Sequence, residues 1–188
     1  ANRANSGGGK GVTTISTEDH AVRTDNRLAG KSAFANAAEA LRSVFAASDL
    51  PFQLVRFLPD ISHGDKRVLV VDGNILGAYL RRGSAGSWVH NVSSGGSYPR
   101  AEVTGDERTA INHTWPAYQR LGVHTLGYDF LRNGQRWVIS EINAGNIAGY
   151  LLLEELTREP VYQWVRDWVV EFARDSRTIQ PAEPAECG

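Results

Sequence analysis

The stretch "VHTLGYDFLRNGQRWVISEIN" (Val123–Asn143) consists of two alternating, largely apolar runs on either side of an Asn133-Gly134 pair. Alternation with a period of two predicts β-strands, and Asn-Gly between them predicts a hairpin. Glu141 and Asn143 are two residues apart in the second strand, so their side chains should lie on one face. Carboxylate and amide oxygens are the ligands that Mg²⁺ prefers. The stretch therefore predicts a hairpin that carries a magnesium site.

Whether Asp129 joins this site depends on the turn. A two-residue turn at Asn133-Gly134 would place Asp129 on the opposite face from Glu141. A three-residue loop over residues 132–134, with the glycine left-handed, pairs Asp129 with Trp137 and restores a common face. We therefore predict the three-residue loop and a third metal ligand. The reverse face would then be a core surface made of Leu126, Tyr128, Phe130, Val138 and Ile142.

A second hairpin is predicted in "KRVLVVDGNILGAYLRR" (Lys66–Arg82), which turns at Asp72-Gly73. A two-residue turn pairs Arg67 with Ala78 and brings three charged side chains to one face, those of Asp65, Arg67 and Arg82. Arginine forks suit phosphate or carboxylate oxygens. The alternative is a solvated charged face, and the hairpin alone favours neither.

A glycine-rich stretch, "NSGGGKGV" (Asn5–Val12), stands near the start of the chain. It lacks the first glycine and the hydroxyl residue of a P-loop, and no helix opens after it as a dinucleotide fingerprint requires. The β-branched residues that follow predict a strand, so we interpret the stretch as a turn between two strands. Contact with phosphate is favoured over a flexible hairpin tip, through Gly7, Gly8, Gly9, Lys10 and Gly11.

Composition bounds the function without deciding it. The chain has 188 residues, 41% of them hydrophobic, and a net charge of -1, which gives no electrostatic reason to bind nucleic acid or a membrane. The one cysteine, Cys187, excludes an intramolecular disulfide and favours the reducing cytoplasm. The absence of methionine and the early glycine loop suggest the downstream part of a longer protein.

The remaining elements are predicted from capping and composition. Thr104 with Glu107 makes a capping box for a helix to about Leu121, and two further helices are expected near the end. The Gly- and Ser-rich residues 83–99 form a long loop and a functional candidate. The other expectations are a strand at 12–16, an exposed loop at 17–31, a helix capped by Ser32 to about 48, and a strand at 52–59.

Several of these motifs together resemble one family. "GDKRVLVVDG", "NVSSGG" (Asn91–Gly96), "LGYDF" and "SEINAGN" resemble the C-terminal part of the ATP-grasp ligases, closest to glutathione synthetase and the ribosomal-protein glutamate ligases. "NSGGGKGV" resembles the glycine-rich phosphate loop of that superfamily. The resemblance implies an α+β fold in which two α/β lobes with antiparallel sheets hold ATP, with the amino-terminal domain absent. Residues 1–50 would belong to the small lobe, 51–175 to the large lobe and 176–188 to a disordered tail.

The resemblance also implies roles for particular residues. Asp129, Glu141 and Asn143 would hold two Mg²⁺ ions, or Mn²⁺ in their place, beside ATP. Arg67 and Arg82 would contact the transferred phosphoryl group and an acyl phosphate. The adenine would lie against the segment Val55, Arg56, Phe57 and Leu58, with Asp65 and Asn91 near the nucleotide.

The reaction implied is an ATP-dependent joining of a carboxylate and an amine through an acylphosphate, on small-molecule or peptide substrates. A nucleotide-binding regulatory module and an ATP-grasp kinase are the alternatives. Trp88, Val89 and His90 stand where glutathione synthetase has an arginine, which speaks against recognition of a glutathione-like carboxylate. The sequence leaves open the acid, the amine, the role of His90 and a homo-oligomer.

Overall fold

The computed structural model describes residues 2–3, 13–18, 21–26, 30–46, 52–53, 55–82, 97–145 and 147–176. The chain divides into two compact units, one formed by Ala1–Gly64, Arg81–Ser97 and Arg132–Gly134, the other by Asp65–Leu80, Tyr98–Leu131 and Gln135–Gly188. Part of the predicted site lies outside the described residues, namely Gly7, Gly8, Gly9, Lys10, Gly11 and Asn91. His90 and the predicted tail from 177 onward lie outside them as well.

The described part of the first unit combines short strands with one α-helix. The strands are β1 (Asn2–Arg3), β2 (Thr13–Glu18), β3 (Ala21–Asn26), β4 (Gly30–Phe34) and β5 (Phe52–Gln53), and the helix is α1 (Ala37–Ala46). β2, β3 and β4 form an antiparallel sheet on which α1 packs, and β1 pairs antiparallel with β5. The predicted strand at 12–16 is thus confirmed as part of β2.

Three expectations for this unit are wrong. The segment 17–31, predicted as an exposed loop, contains β3 and the start of β4. Ser32 lies within β4, so α1 begins later and is capped by Asn36, whose Oδ1 accepts from the Glu39 amide at 3.0 Å. The strand predicted to reach Pro59 ends with β5, and Pro59 starts a 3₁₀-helix (Pro59–His63).

In the second unit the described strands form one sheet with helices on both faces. The elements are β6 (Asp65–Val71), β7 (Asn74–Arg81), β8 (Arg100–Ala101), α2 (Gly105–Arg120), β9 (Thr125–Asn133), β10 (Arg136–Asn143), α3 (Tyr150–Thr157) and α4 (Val161–Ser176). The strand order is β10-β9-β6-β7-β8, and β9 runs antiparallel to β6. No helix within the described residues is long and apolar enough to cross a membrane.

Two apolar clusters hold the helices to this sheet. On one face, α2 contributes Ile111 to a buried cluster with Val68, Val70, Ala78, Leu126, Tyr128 and Phe130. On the other, Leu153 of α3 and Val161 of α4 are buried with Leu69 and Tyr79. The predicted capping box at the start of α2 is confirmed, because Thr104 and Glu107 bond reciprocally. The two faces of β6 therefore have different environments, and only one carries the candidate site.

The predicted hairpin of β6 and β7 is confirmed, but the side chains of β7 do not alternate regularly between the two faces of the sheet. Asp72 and Gly73 both have positive φ, +46° and +78°, as a type I′ turn requires. Ala78 nevertheless lies in the cluster with Val68, on the face opposite Arg67, so the predicted pairing of Arg67 with Ala78 is wrong. The alternation shifts at Gly77, where an added Cβ would lie 3.0 Å from Leu153 Cδ1.

This shift removes the basis for grouping Arg82 with Asp65 and Arg67. The prediction counted residues along an unbroken strand, and one extra residue reverses every side chain beyond it. Arg82 itself is exposed and forms an isolated bridge with Ser97, with both backbone N–O distances 3.0 Å.

Candidate functional site

The turn of the second hairpin differs from the prediction. β9 continues through Arg132 and Asn133, and the turn consists of Gly134 and Gln135. Gly134 has the left-handed φ that was predicted for it, +64°. The prediction of a three-residue loop over 132–134 is therefore wrong. A two-residue turn followed by an unbroken strand would place Asp129 on the face opposite Glu141.

A shift within β10 compensates for the shorter turn. Trp137 and Ile139 pack on the core cluster of α2, and so does Ile142, although three residues separate it from Ile139. A regular strand cannot direct positions 139 and 142 to one face, so the alternation changes by one residue between them, as at a β-bulge. The predicted pairing of Asp129 with Trp137 is wrong, and Trp137 and Ile139 occupy the core surface in place of Val138.

The shift brings Asn143 to the face of Asp129. Asn143 Nδ2 donates to Asp129 Oδ2 at 3.1 Å and to the Gly127 carbonyl oxygen at 3.3 Å. A Cβ added to Gly127 would lie 3.8 Å from Asn143 Cβ, so the two residues are direct neighbours. Ile142 packs on the core cluster, so alternation from Ile142 predicts that Glu141 points to the same face as Asn143. The predicted common face is confirmed for Asp129 and Asn143, with a different physical origin.

Arg67 binds Asp129 across neighbouring strands. The two residues are direct partners in the register of β6 and β9. Arg67 Nε donates to Asp129 Oδ1 at 2.8 Å and Nη2 donates to Oδ2 at 2.6 Å. The side chains are only 13% and 4% exposed, so water screens the pair little. This bidentate contact fixes the orientation of the Asp129 carboxylate.

Lys66 occupies the opposite face, as predicted. Its Nζ lies 2.8 Å from Glu107 Oε1, donates to the Glu102 carbonyl oxygen at 2.9 Å and sits 4.3 Å from the centre of the Trp137 ring. These contacts tie β6 to the start of α2. Asp65 lies two residues from Arg67 and shares its face, directly opposite Leu131 of β9.

The predicted adenine segment, Val55, Arg56, Phe57 and Leu58, belongs to the first unit. Its backbone is irregular and immediately precedes the 3₁₀-helix. Val55 and Phe57 are 65% and 50% exposed. Exposed apolar side chains of this kind can cover a flat aromatic ligand.

The oxygens on the shared face suit a hard divalent cation. Asp129 and Glu141 supply carboxylates, and Asn143 supplies an amide oxygen because its nitrogen is committed to Gly127 and Asp129. Among the described residues no group of three His, Cys, Asp or Glu could hold a metal ion, so the amide oxygen is needed to complete a three-ligand set. The donor chemistry fits Mg²⁺ rather than a metal that prefers nitrogen or sulfur.

Two features of the site were not predicted from the sequence. The Arg67–Asp129 fork joins residues 62 positions apart, and no local pattern reports that pairing. Ser140 donates through Oγ to the Asp129 carbonyl oxygen at 3.0 Å, next to the inferred bulge. Gly127 is a signal in the sequence, because a glycine inside a strand often marks a close approach of neighbouring groups. Here an added Cβ would lie 3.3 Å from Ile147 Cγ2.

Comparison with known proteins identifies the family of the chain. The family model for the prokaryotic glutathione synthetase ATP-grasp domain matches residues 26–157. A glutathione synthetase of Parasynechococcus marenigrum is 38% identical over 112 residues, which is 60% of this chain and 35% of that protein. A glutathione synthetase of Prochlorococcus marinus is 33% identical over 121 residues, or 64% of this chain and 38% of the relative.

A probable alpha-L-glutamate ligase of Teredinibacter turnerae is 30% identical over 142 residues, covering 75% of this chain and 45% of the ligase. The chain thus spans less than half the length of these curated relatives. The family match confirms the predicted α+β fold class, and it extends over more than half of the chain. The chain belongs to the family of prokaryotic glutathione synthetase ATP-grasp domains.

Proposed function

We propose that this chain is the ATP-binding part of a ligase that joins a carboxylate to an amine. The observation that carries the proposal is the cluster of Arg67, Asp129 and Asn143 on one sheet face. Alternation from Ile142 would direct Glu141 to the same side. Relatives named glutathione synthetase and glutamate ligase support amino acids or peptides as substrates. We place the reaction in the cytoplasm, where ATP is available.

Each group on this face would have a distinct task. Asp129, Glu141 and the Asn143 amide oxygen would hold Mg²⁺, or Mn²⁺, which neutralises polyphosphate charge when bound. Asn143 keeps its oxygen available because its nitrogen is anchored to Gly127 and Asp129. The Arg67 fork matches the oxygens of a phosphoryl group. Positioning and charge stabilisation are what in-line phosphoryl transfer chiefly needs.

Further residues would contact the nucleotide. The exposed side chains of Val55 and Phe57 support an adenine contact at residues 55–58. Asp65, on the face of Arg67, would lie near the nucleotide. The resemblance of residues 7–11 to the ATP-grasp phosphate loop supports phosphate contacts there. The same resemblance is the support for Asn91 near the nucleotide and for Arg82 at the transferred phosphoryl group, since the shift of alternation in β7 removes the basis for grouping Arg82 with Arg67.

ADP release from the longest protein that contains this chain tests the proposal. Pairs of acids and amines are supplied with ATP and Mg²⁺, and hydroxylamine is added to trap the acyl phosphate as a hydroxamate. We expect ADP release that requires an acid, with hydroxamate formed when the amine is withheld. ADP release with an alcohol instead would indicate a kinase. Saturable ATP binding without turnover on any pair would indicate a regulatory module.

A further inference from the structure

Arg67 occupies the carboxylate that a cation would need. Its Nε donates to Asp129 Oδ1 at 2.8 Å and its Nη2 donates to Oδ2 at 2.6 Å, and Asn143 Nδ2 donates a second hydrogen bond to Oδ2 at 3.1 Å. An ionised carboxylate has about four acceptor positions. Arg67 and Asn143 together fill both acceptor positions of Oδ2, and Arg67 also occupies Oδ1.

The charge of Arg67 opposes cation binding at Asp129, as its hydrogen bonds do. A guanidinium is always protonated, and here it lies beside Asp129 with little exposure to water. A divalent cation on the same carboxylate would stand within a few ångströms of that charge. Repulsion at such distances is substantial where water screens poorly.

We propose that Arg67 gates the metal site: it suppresses cation binding at Asp129 until an anionic ligand draws the guanidinium away. The inference rests on the proposed role of Asp129 as a metal ligand. An arginine fork binds phosphate oxygens as it binds a carboxylate, so polyphosphate competes with Asp129 for the same donors. Once the fork turns to the phosphate, the acceptor positions that Arg67 held on Oδ1 and Oδ2 become available to metal, while Asn143 still donates to Oδ2. Cation and nucleotide therefore bind with positive coupling, and the coupling is the same in either order.

The gate predicts opposite effects of one substitution on two ligands. Removing the Arg67 charge tightens metal binding in the absence of nucleotide and weakens binding of the nucleotide itself. An arginine that acted only as a phosphate ligand would change nucleotide affinity alone. An arginine that served only the fold would not strengthen either interaction.

Mn²⁺ titration followed by electron paramagnetic resonance measures this directly, with and without a non-hydrolysable ATP analogue. We expect Arg67→Gln to bind Mn²⁺ about tenfold more tightly than the unaltered protein without nucleotide, and to bind the analogue more weakly. Arg100→Gln, which removes the same charge from an exposed side chain, is the matched control and should change neither affinity. Equal or weaker Mn²⁺ binding by Arg67→Gln, or no detectable binding by either protein, overturns the gate.

Arg67→Lys is a second variant, in case Arg67→Gln does not fold. Circular dichroism shows whether each variant is folded. An ammonium on a flexible stem cannot hold both oxygens, so Mn²⁺ should bind about threefold more tightly than in the unaltered protein. Unchanged affinity in Arg67→Lys counts against the gate.

Asp129→Asn separates this inference from the proposed function. If Asp129→Asn leaves Mn²⁺ binding with the analogue intact, Asp129 is not a ligand, and the gate and the proposed metal site both fail. If Asp129→Asn weakens that binding while Arg67→Gln does not strengthen it, the site stands and the gate alone is wrong.

Discussion

Lys66 and Glu107 form an ion pair that is closed to water, with Nζ 2.8 Å from Oε1 and side chains only 5% and 0% exposed. Glu107 also accepts from the Thr104 amide at 2.7 Å, which completes the capping box of α2. The pair therefore joins the first turn of α2 to β6 immediately beside Arg67. Its energetic role can be tested apart from the chemistry.

Glu107→Gln should destabilise the fold strongly. The substitution leaves the Lys66 charge buried without its counter-ion, and breaking a buried pair in this way costs about 3–5 kcal/mol. Urea unfolding gives the change in free energy. The control is Glu102→Gln, whose side chain is 88% exposed and which should stay within about 0.5 kcal/mol of the unaltered protein. Equal effects of the two variants would refute the structural role of the pair.

Arg67 and Asp129 should be energetically coupled. Asp129→Asn leaves a nearly buried guanidinium with a weaker partner, and Arg67→Met leaves a buried carboxylate. The double variant should be less destabilised than the sum of the two, by at least about 1 kcal/mol. Unfolding of all four proteins in urea yields the coupling energy. Additive changes would show that the fork seen here contributes no net interaction.

Tyr150 should make stability depend on alkaline pH. Burial raises the pKa of its phenol above the ordinary 10.0, and burial also raises the pKa of Tyr128. Between the unfolded and folded pKa values only the unfolded chain loses the proton, so the free energy of unfolding falls as the pH rises above about 10. Chemical unfolding from pH 8 to 11 measures the fall.

Tyr150→Phe is the matched variant for that experiment. The Tyr150 hydroxyl is buried and has no hydrogen-bond partner among the described residues, so its removal should cost little at pH 7 and should flatten the alkaline decline. Tyr128→Phe differs because it loses a bond of 3.1 Å to Thr114 Oγ1. A Tyr150→Phe protein with the same alkaline slope as the unaltered chain would contradict the assignment.

Glu141→Gln should abolish turnover while preserving the fold. Glu141 is exposed, so its replacement should change the free energy of unfolding by no more than about 0.5 kcal/mol. Loss of a carboxylate ligand should nevertheless remove ADP release in the acid and amine assay. Full activity in Glu141→Gln would exclude Glu141 from the metal site. A loss of thermal stability together with activity would make the assay uninformative about ligation and would itself contradict the exposed position.

The sequence predicted the parts of the site that depend on local chemistry. The two hairpins, the left-handed Gly134 and the capping box of Thr104 and Glu107 all follow from residue preferences at fixed positions. The shifts of alternation in β7 and β10 do not, because a bulge adds one residue without a compulsory residue type. The shared face of Asp129 and Asn143 was therefore predicted correctly from an incorrect turn.

The first unit was harder to predict from sequence. β3, "AVRTDN", has few apolar residues, so it lacks the alternation that identifies a strand with one buried face. Ser32 could have capped a helix, but its position in β4 is set by pairing with Thr24 of β3. Tertiary pairing outweighed local propensity at both places.

A crystal structure with Mn²⁺ and a non-hydrolysable ATP analogue would show whether Asp129, Glu141 and Asn143 form the metal site. The anomalous signal of the metal locates it independently of the protein chain. We expect Mn²⁺ to be bound by oxygens of Asp129, Glu141 and Asn143 at about 2.1 Å, the distance typical of Mg²⁺, with the Arg67 guanidinium turned towards phosphate. Metal bound elsewhere, or Glu141 directed away from Asp129 in that complex, would contradict this assignment.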